Sequence, residues 1–405
     1  MNAPCPHARH REPPAARRHH HLHRDVGAGA AARRRQPRPG LPDFDCDPAL
    51  LDAVPTAMRR ASTSTRRWPG VPVLREAIAA KIEGALRARY DPASEITVTA
   101  GATQAILTAI LAIVHPGDEV IVLALLRQLR PNIELAGGRA VRVPLRPGSF
   151  RPDFGRIAAA HHAAHARHHR QLAAQPERHR LGAPDMQRLA DLLRDRRDLR
   201  DRRRGLRAHG LRRRARTPAW RAIPAGARAF IVSSFGKTYH VTGWKVGYVG
   251  RPALTAEFRK VHQFNVFTVN TPMQHGLAAF MADASPTSAC RRSTSASATC
   301  SAPAWLAPAR ACCPARAAIS SAWTTRRSAR SPRRLLPWLT REVGVAAIPL
   351  SAFYQGGFEQ RIVRFCFAKK DETLARRAAA PGGAEPASAR SAARSVALGP
   401  GRPAP

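Results

Sequence analysis

Acidic residues, aromatic residues and long apolar runs are all scarce in this sequence. Its 405 residues include 27 Asp and Glu against 67 Lys and Arg, a formal net charge of +40, and only 6% aromatics. No apolar run is long enough to span a membrane, and the basic N-terminus lacks the apolar segment of a signal peptide. The seven cysteines form no C-x-x-C pair and no secreted disulfide framework. We therefore expect a cytoplasmic protein of a reducing compartment.

The excess of positive charge is uneven along the chain. Ordinary globular composition is confined to residues 41–60, 70–123, 131–160, 183–195, 229–283 and 335–373. Elsewhere Arg, Ala, Pro, Ser and His follow one another without helix or strand spacing. A basic nucleic-acid-binding protein would explain the charge. However, it predicts arginines clustered on a helix or interleaved with aromatics, and neither pattern occurs. It remains the weaker alternative.

Helices and strands alternate in the globular blocks. The apolar spacing predicts helices at 48–59, 74–90, 184–195, 253–264 and 271–283, and a further helix that follows residues 100–105 and ends at about 114. It predicts strands at 96–99, 119–123, 141–145, 343–348 and 362–367. A further apolar run begins at Ile231. This alternation predicts an α/β fold with a mostly parallel sheet, and the last two strands indicate a smaller α+β unit.

The strand at 96–99 leads into a turn of small residues at 100–105 and then into a long apolar helix. Backbone N–H groups and the positive end of the helix dipole make such a turn suitable for a phosphate. Many α/β proteins have a turn of this kind for packing alone, so the pattern is weak by itself.

The run from Ile231 ends in two serines and is followed by Lys237. A positioned, desolvated lysine is a good nucleophile for Schiff-base chemistry. Ser234 and Lys245 can hold an anionic group beside it, one through a hydroxyl and one through charge. A random S-x-x-K spacing is more often a surface turn with solvated lysines. Arg364, inside the last strand, would need a carboxylate partner if buried.

These stretches together resemble a known family. Residues 40–44, 97–105, 231–248 and 361–374 are similar to the fold-type I pyridoxal-phosphate (PLP) aminotransferases of class I/II. With lysine rather than arginine at position 245, the chain resembles the methionine and kynurenine/glutamine aminotransferase branch of this family. The resemblance implies Lys237 as the catalytic lysine that forms the internal aldimine; Ala102, Thr103, Ser234 and Lys245 as phosphate ligands; and Gly40 and Arg364 as substrate-binding residues. Arginine suits that role because its guanidinium can clamp the substrate carboxylate bidentately.

The resemblance also implies an architecture and an activity. The implied organisation is a basic arm at 1–36, a small domain from 37–70 and 335–374, a large PLP-binding domain at 71–283, a displaced segment at 284–334 and a tail at 375–405. We expect a homodimer that transfers the amino group of methionine, or of another large neutral or aromatic amino acid, to a 2-oxo acid. No metal, specific nucleic acid or membrane partner is expected. A PLP-dependent cysteine-S-conjugate β-lyase is an alternative on the same fold.

Several motifs of the family are missing. An Asn-Pro-His-Asn-Pro-type turn and an Asp-Glu-x-Tyr strand end should lie between the phosphate turn and Lys237, and neither occurs. Both motifs reappear if each segment is written in suitable synonymous codons and then translated one base further on. Residues 170–177 then give Val-Asn-Ser-Pro-His-Asn-Pro, and residues 201–210 give Ile-Ala-Asp-Glu-Val-Tyr-Glu-His-Met. Residues 126–130 give Tyr-Asp-Ser-Tyr by the same slip, and 64–68 give Gln-Tyr-Pro-Pro-Met by the opposite one.

Our hypothesis is therefore a GC-rich aminotransferase gene read through several compensating frameshifts. It predicts disorder or misfolding at 1–36, 161–182, 196–228, 285–334 and 375–405. It also predicts impaired or absent activity for the chain as written, because a PLP enzyme without the aspartate that protonates the pyridine nitrogen stabilises carbanions poorly.

Overall fold

The computed structural model describes most of the globular blocks and a few short pieces between them. The described residues are 45–60, 63–65, 68–86, 89–123, 129–146, 151–162, 170–174, 183–194, 206–208, 229–250, 254–283, 311–313, 320–325, 332–341, 346–353, 361–366, 370 and 372. Those between 45 and 283 form one unit, and those between 311 and 372 form a second.

The first unit contains eight described helices and seven strands. The helices are α1 (Pro48–Arg59), α2 (Pro72–Leu86), α3 (Gly101–Leu111), α4 (Leu129–Leu135), α5 (Phe154–His162), α6 (Ala183–Arg194), α7 (Thr255–Asn265) and α8 (Thr271–Met281). The strands are β1 (Ile96–Thr99), β2 (Glu119–Val122), β3 (Arg139–Arg142), β4 (Arg170–Ala174), β5 (Leu206–Ala208), β6 (Ala229–Ser234) and β7 (Gly247–Gly250).

The seven strands form one sheet in the order β1-β7-β6-β5-β4-β2-β3. The pairs from β6 to β3 are parallel, whereas β7 runs antiparallel to both β6 and β1. The predicted α/β class with a mostly parallel sheet is confirmed. The antiparallel β7 is joined to β6 by residues 235–246, which contain the lysine turn and no crossover α-helix.

Order extends into three segments for which we predicted none. Strands β4 and β5 lie within 161–182 and 196–228, and two strands of the second unit lie within 285–334. The prediction is wrong for these pieces because a sheet ladder is made by main-chain N–H and C=O groups, which any residue except proline supplies in full. The remaining parts of these segments, the arm at 1–36 and the tail at 375–405 lie outside the described residues.

Two hydrophobic clusters cover opposite faces of the β1-β7-β6 region. On β7, Tyr248 belongs to the cluster formed with α1, α2 and α8, and Val249 belongs to the cluster formed with α3, α4 and α7. Consecutive residues of a strand point to opposite faces, so this alternation shows a strand buried on both sides. A sheet covered on both faces is typical of mostly parallel α/β folds.

Helix starts in this unit follow from local capping. Asp47 caps α1 by accepting the Ala49 N–H at 3.0 Å, and Asn270 caps α8 by accepting the Met273 N–H at 3.1 Å. Both helices have proline within their first two positions, where the missing N–H costs nothing. The helices pack closely: a Cβ atom at Gly276 would lie 2.6 Å from Val54 Cγ2.

The described part of the second unit contains a four-stranded antiparallel sheet and one α-helix. Its strands are β8 (Ala311–Cys313), β9 (Ser320–Thr324), β10 (Ile348–Pro349) and β11 (Ile362–Cys366), in the order β10-β11-β9-β8, and its helix is α9 (Pro332–Arg341). Its cluster includes Trp323, Leu339, Val363 and Phe365. The assignment of residues 37–70 and 335–374 to one small domain stays a prediction.

Candidate active site

Gly247 is the point at which three main-chain segments of the first unit meet. In the sheet register Gly247 is paired with Thr99 at the end of β1 and with Ser234 at the end of β6. Helix α3 begins at Gly101, two residues after Thr99, while Lys237 follows Ser234 by three residues. The topology therefore brings the turn at 100–103 and the lysine turn to the same edge of the sheet.

The segments approach so closely that position 247 has no room for a side chain. A Cβ atom there would lie 2.7 Å from the Ser233 carbonyl oxygen and 3.0 Å from the Ala102 amide nitrogen. Gly101 has φ +74, and a Cβ atom on it would lie 3.6 Å from the Lys245 carbonyl carbon. Lys245 itself is left-handed, with φ +56. The result is a cradle built from main chain at Ala102, Ser233 and Lys245.

A hydrogen-bonded turn presents Lys237 at the end of β6. The N–H groups of Thr238 and Tyr239 both donate to the Phe235 carbonyl oxygen, at 2.8 Å and 2.9 Å. Phe235 is fully buried and stacks on Tyr239, with ring centroids 5.9 Å apart. These aromatic anchors flank the lysine, whose own side chain is only half-buried. Hydrogen bonds and aromatic packing therefore hold the main chain of the turn that carries Lys237.

The predicted anion ligands lie on this cradle. Ser234 Oγ accepts the Gly236 N–H at 3.2 Å and retains its hydroxyl hydrogen as a donor. The N-cap residue of α3 is Ala100, which makes no side-chain capping bond to the helix start. The exposed Lys245 adds a positive charge next to this helix terminus. A dipole end and a cation together favour an anion here.

Two predicted substrate-binding residues stand apart from this group. Gly40 lies outside the described residues. Arg364 belongs to the second unit, where it is half-buried on β11 and paired with Ile348 and Ala322. It alternates with Val363 and Phe365, so its side chain lies on the face opposite the hydrophobic cluster of that unit.

The relationships of the chain to known proteins agree with this geometry. The profile of the family described as aminotransferase class I and II matches residues 40–172 and 215–380. The chain belongs to the class I and II aminotransferases. It is 34% identical over 376 residues to the methionine aminotransferase of Escherichia coli K12, an alignment covering 83% of this chain and 88% of that one.

Other relatives lie in the same family. This aminotransferase is 29% identical to a probable N-succinyldiaminopimelate aminotransferase of Mycobacterium tuberculosis, over 83% of this chain and 88% of the other. Among solved structures, the YbdL protein of Escherichia coli, identified as having a methionine aminotransferase function, superimposes with a TM-score of 0.80 at 31% identity, covering 88% and 94% of the two chains. The N-succinyldiaminopimelate aminotransferase of Mycobacterium tuberculosis gives 0.77 at 26%, covering 88% and 95%.

These relationships establish an amino-acid aminotransferase and do not favour the two alternatives, a β-lyase and a nucleic-acid-binding protein. Within the described residues, no three His, Cys, Asp or Glu side chains are grouped as metal ligands. Among the same residues, no helix is both long and apolar enough to cross a membrane.

Family membership implies PLP, and the described cradle fits one end of that cofactor. At Gly247 a side chain would collide with the Ser233 carbonyl oxygen and the Ala102 amide nitrogen, so glycine allows β7 to pack against the start of α3, where N–H groups can bind a phosphate. Lys237 and Lys245 supply an amine and a cation at the same sheet edge. The ring end is different. The family profile leaves residues 173–214 unmatched, and the sequence there contains no Asp-Glu-x-Tyr motif.

Two polar residues at the start of α3 and on α7 were not predicted from the sequence. The side chain of Gln104, in the first turn of α3, accepts the Ala100 N–H at 3.0 Å. The Nδ1 atom of the buried His262 on α7 lies 3.2 Å from Nε2 of the Gln104 side chain. A glutamine inside the small-residue turn was a detectable signal, but the 158-residue separation of the pair hid its partner.

The close approach at Gly247 predicts a strong response to a single methyl group. Replacing Gly247 with Ala forces the Ser233 and Ala102 main chain apart, and overpacking of this kind costs about 1–3 kcal/mol. Gly243→Ala is the matched control, because a Cβ atom at 243 has no neighbour within 4 Å. Urea unfolding should give a clearly lower midpoint for the first variant only. Equal midpoints would contradict the main-chain cradle.

Proposed function

We propose that this aminotransferase holds PLP on Lys237 and takes methionine, or another large neutral or aromatic amino acid, as its amino donor. The observation that carries the proposal is the meeting of Ser234, Lys237 and the start of α3 around Gly247. Similarity to methionine aminotransferases supports the choice of donor. The acceptor is a 2-oxo acid.

Each residue then has a chemical role. PLP, when bound, supplies an electron sink for the charge that develops at the substrate Cα. The amine of Lys237 holds and moves the proton at that carbon, as a positioned general base does. Ser234, Lys245 and the backbone of Ala102 and Thr103 bind the phosphate.

Substrate recognition is assigned to the residues outside this cradle. The guanidinium of Arg364 binds the substrate carboxylate through two parallel N–H donors, an arrangement that lysine cannot reproduce. We propose Gly40 as the second substrate-binding residue, as the family pattern implies. Both assignments follow the family pattern and are independent of the phosphate cradle.

The lysine assignment predicts a site-specific chemical label. Incubating the protein with PLP, reducing it with borohydride and mapping the peptides should place a pyridoxyl group on Lys237. Lys237→Ala should abolish both this label and the transfer of amino groups from methionine. Lys260→Ala is the control, since that lysine is 70% exposed and pairs with Glu257 on the surface of α7. A label that persists in Lys237→Ala would refute the assignment. Product formation without any 2-oxo acid would indicate the β-lyase instead.

We further propose that the gene carries compensating frameshifts, and that these impair the enzyme. The unmatched stretch 173–214 of the family profile coincides with the interval that lacks both expected motifs, which supports the proposal. The nucleotide sequence at codons 201–210 should therefore encode Asp-Glu-Val-Tyr one base on.

Restoring the ancestral frame should raise transaminase activity. We expect a gain of at least about hundredfold in kcat/KM with methionine, the scale on which enzymes lose rate when one electrostatic or acid–base group is removed. The activity of the chain as written is the reference. Codons at 201–210 that fail to encode this motif, or equal activity of the two proteins, would end the frameshift proposal.

A homodimer is proposed on the apolar surface at the end of α7. Phe264 is 87% exposed and Phe267 is 47% exposed, and aromatic side chains of this size are normally covered. The family resemblance described above implies a homodimer. We also assign the protein to the cytoplasm, because its seven cysteines form no C-x-x-C pair and no secreted disulfide framework.

Dimer formation predicts a change of mass in solution for one substitution. Phe264→Ser should shift the protein towards the monomer in analytical ultracentrifugation, because it removes apolar contact area from the interface. Leu135→Ser, at a position 61% exposed on α4, is the control and should leave the mass unchanged. A monomeric unsubstituted protein, or a dimer that Phe264→Ser leaves intact, would refute this interface.

A further inference from the structure

The start of α3 is held from below by one amide side chain. Gln104 Oε1 accepts the Ala100 N–H at 3.0 Å, which fixes the residue that enters the helix. The same side chain donates through Nε2 to Thr108 Oγ1, one turn further on. With its oxygen committed to Ala100, Gln104 can present only its NH₂ group to other neighbours.

His262 meets that NH₂ group from the facing helix. Its Nδ1 lies 3.2 Å from Gln104 Nε2, and its Nε2 lies 3.2 Å from the main-chain carbonyl oxygen of Trp68. A carbonyl can only accept, so Nε2 carries the proton and donates to Trp68. Nδ1 is then the acceptor for Gln104. The two contacts select one neutral tautomer of the imidazole.

The surroundings of the ring keep it neutral. His262 is fully buried and stacks on Phe258, with ring centroids 5.8 Å apart. Burial lowers the pKa of His262 from 6.5 to about 4, with a smaller contribution from the nearby guanidinium of Arg259. The facing groups from α3 and from the turn at 68 are an amide and a carbonyl, neither of which titrates. Nδ1 therefore stays an acceptor at neutral pH.

We propose that His262 is a positioning residue for the phosphate turn, acting through Gln104 to tie the start of α3 to the main chain at residue 68. The proposal rests on the proposed function, because it concerns the turn to which the PLP phosphate is assigned. The Trp68 contact uses a main-chain carbonyl, so it does not depend on which side chain occupies position 68. The neighbouring Pro69 carbonyl accepts the Val98 N–H at 2.8 Å, which ties the same loop to β1.

A positioning role differs from a packing role in what it affects. Loss of packing destabilises the whole unit and weakens the binding of every ligand. Loss of the Gln104–His262 link releases the Ala100 N–H and the turn that follows it. It should therefore weaken the binding of the ligand's phosphate group and leave the binding of the rest of the ligand unchanged. PLP and pyridoxal differ by that phosphate alone, so the ratio of their affinities reports on the turn.

The test is the binding of PLP and pyridoxal to the full-length protein, freed of cofactor and titrated by absorbance. His262→Phe keeps the ring and its stacking but removes both hydrogen bonds, and Gln104→Leu removes the link from the other side. In each variant we expect PLP affinity to fall by about tenfold or more, the effect of about 1.4 kcal/mol. Pyridoxal affinity should change by less than about twofold, within the range of substitutions that do not touch a ligand.

Two further variants complete the test. Gln104→Glu retains an oxygen for Ala100 and offers a carboxylate to a protonated His262, so it should preserve most of the PLP preference that Gln104→Leu loses. Asn265 lies on α7, as His262 does, and its Nδ2 donates to Thr108 Oγ1 at 3.1 Å. Asn265→Ala removes this bond and leaves both Gln104 and His262 in place. It controls for loss of stability, which thermal unfolding measures for every variant.

The outcomes are distinguishable. An unsubstituted protein that binds PLP no better than pyridoxal would refute the phosphate turn itself, and with it the proposed cofactor site. A protein that prefers PLP, together with variants that lose both affinities equally or neither, would refute the positioning role alone. Selective loss of PLP affinity in His262→Phe and Gln104→Leu, with retention in Gln104→Glu and Asn265→Ala, is the expected result.

Discussion

The candidate site depends on one steric constraint, the approach of three main-chain segments at Gly247. Strands β1 and β6 flank this residue, and the first turn of α3 closes over it. Only glycine fits such an approach, and the groups it brings together are mostly backbone N–H and C=O. The proposed phosphate site at the start of α3 therefore depends on the path of the main chain at Gly247. The turn held by Phe235 and Tyr239 places Lys237 at the same edge of the sheet.

Local features of the sequence predicted a large part of this arrangement. Helix α1 and strand β1 have the predicted bounds, because each is short, periodic and bordered by turn or capping residues. The lysine turn and the small-residue turn were recognisable for the same reason. Features that depend on distant partners were not predictable: the antiparallel insertion of β7 between β1 and β6, and the pairing of Gln104 with His262. Periodicity contains no information on either.

The middle of the sheet separates fold from chemistry. Strands β4 and β5 occupy central positions, although their eight residues include only two large aliphatic side chains, both leucines. Main-chain N–H and C=O groups form the ladder there, and they do so whatever the side chains are, except at proline. Family membership, which rests on the regions outside 173–214, is consequently insensitive to changes in that interval. A cofactor's electronic partners, in contrast, are specific side chains, and a slip of one base removes them.

Helix α3 has a second consequence for the molecule. Its buried face contacts one cluster that contains Val120 and Val122 of β2 as well as Phe230 and Val232 of β6, the strands on either side of the sparse central pair. The helix therefore shares one hydrophobic cluster with residues of β2 and of β6. A ligand bound at its N-terminus stabilises the folded state by mass action. Binding of the proposed cofactor at this terminus would therefore add to the stability of the folded unit as well as supply the chemistry of the reaction.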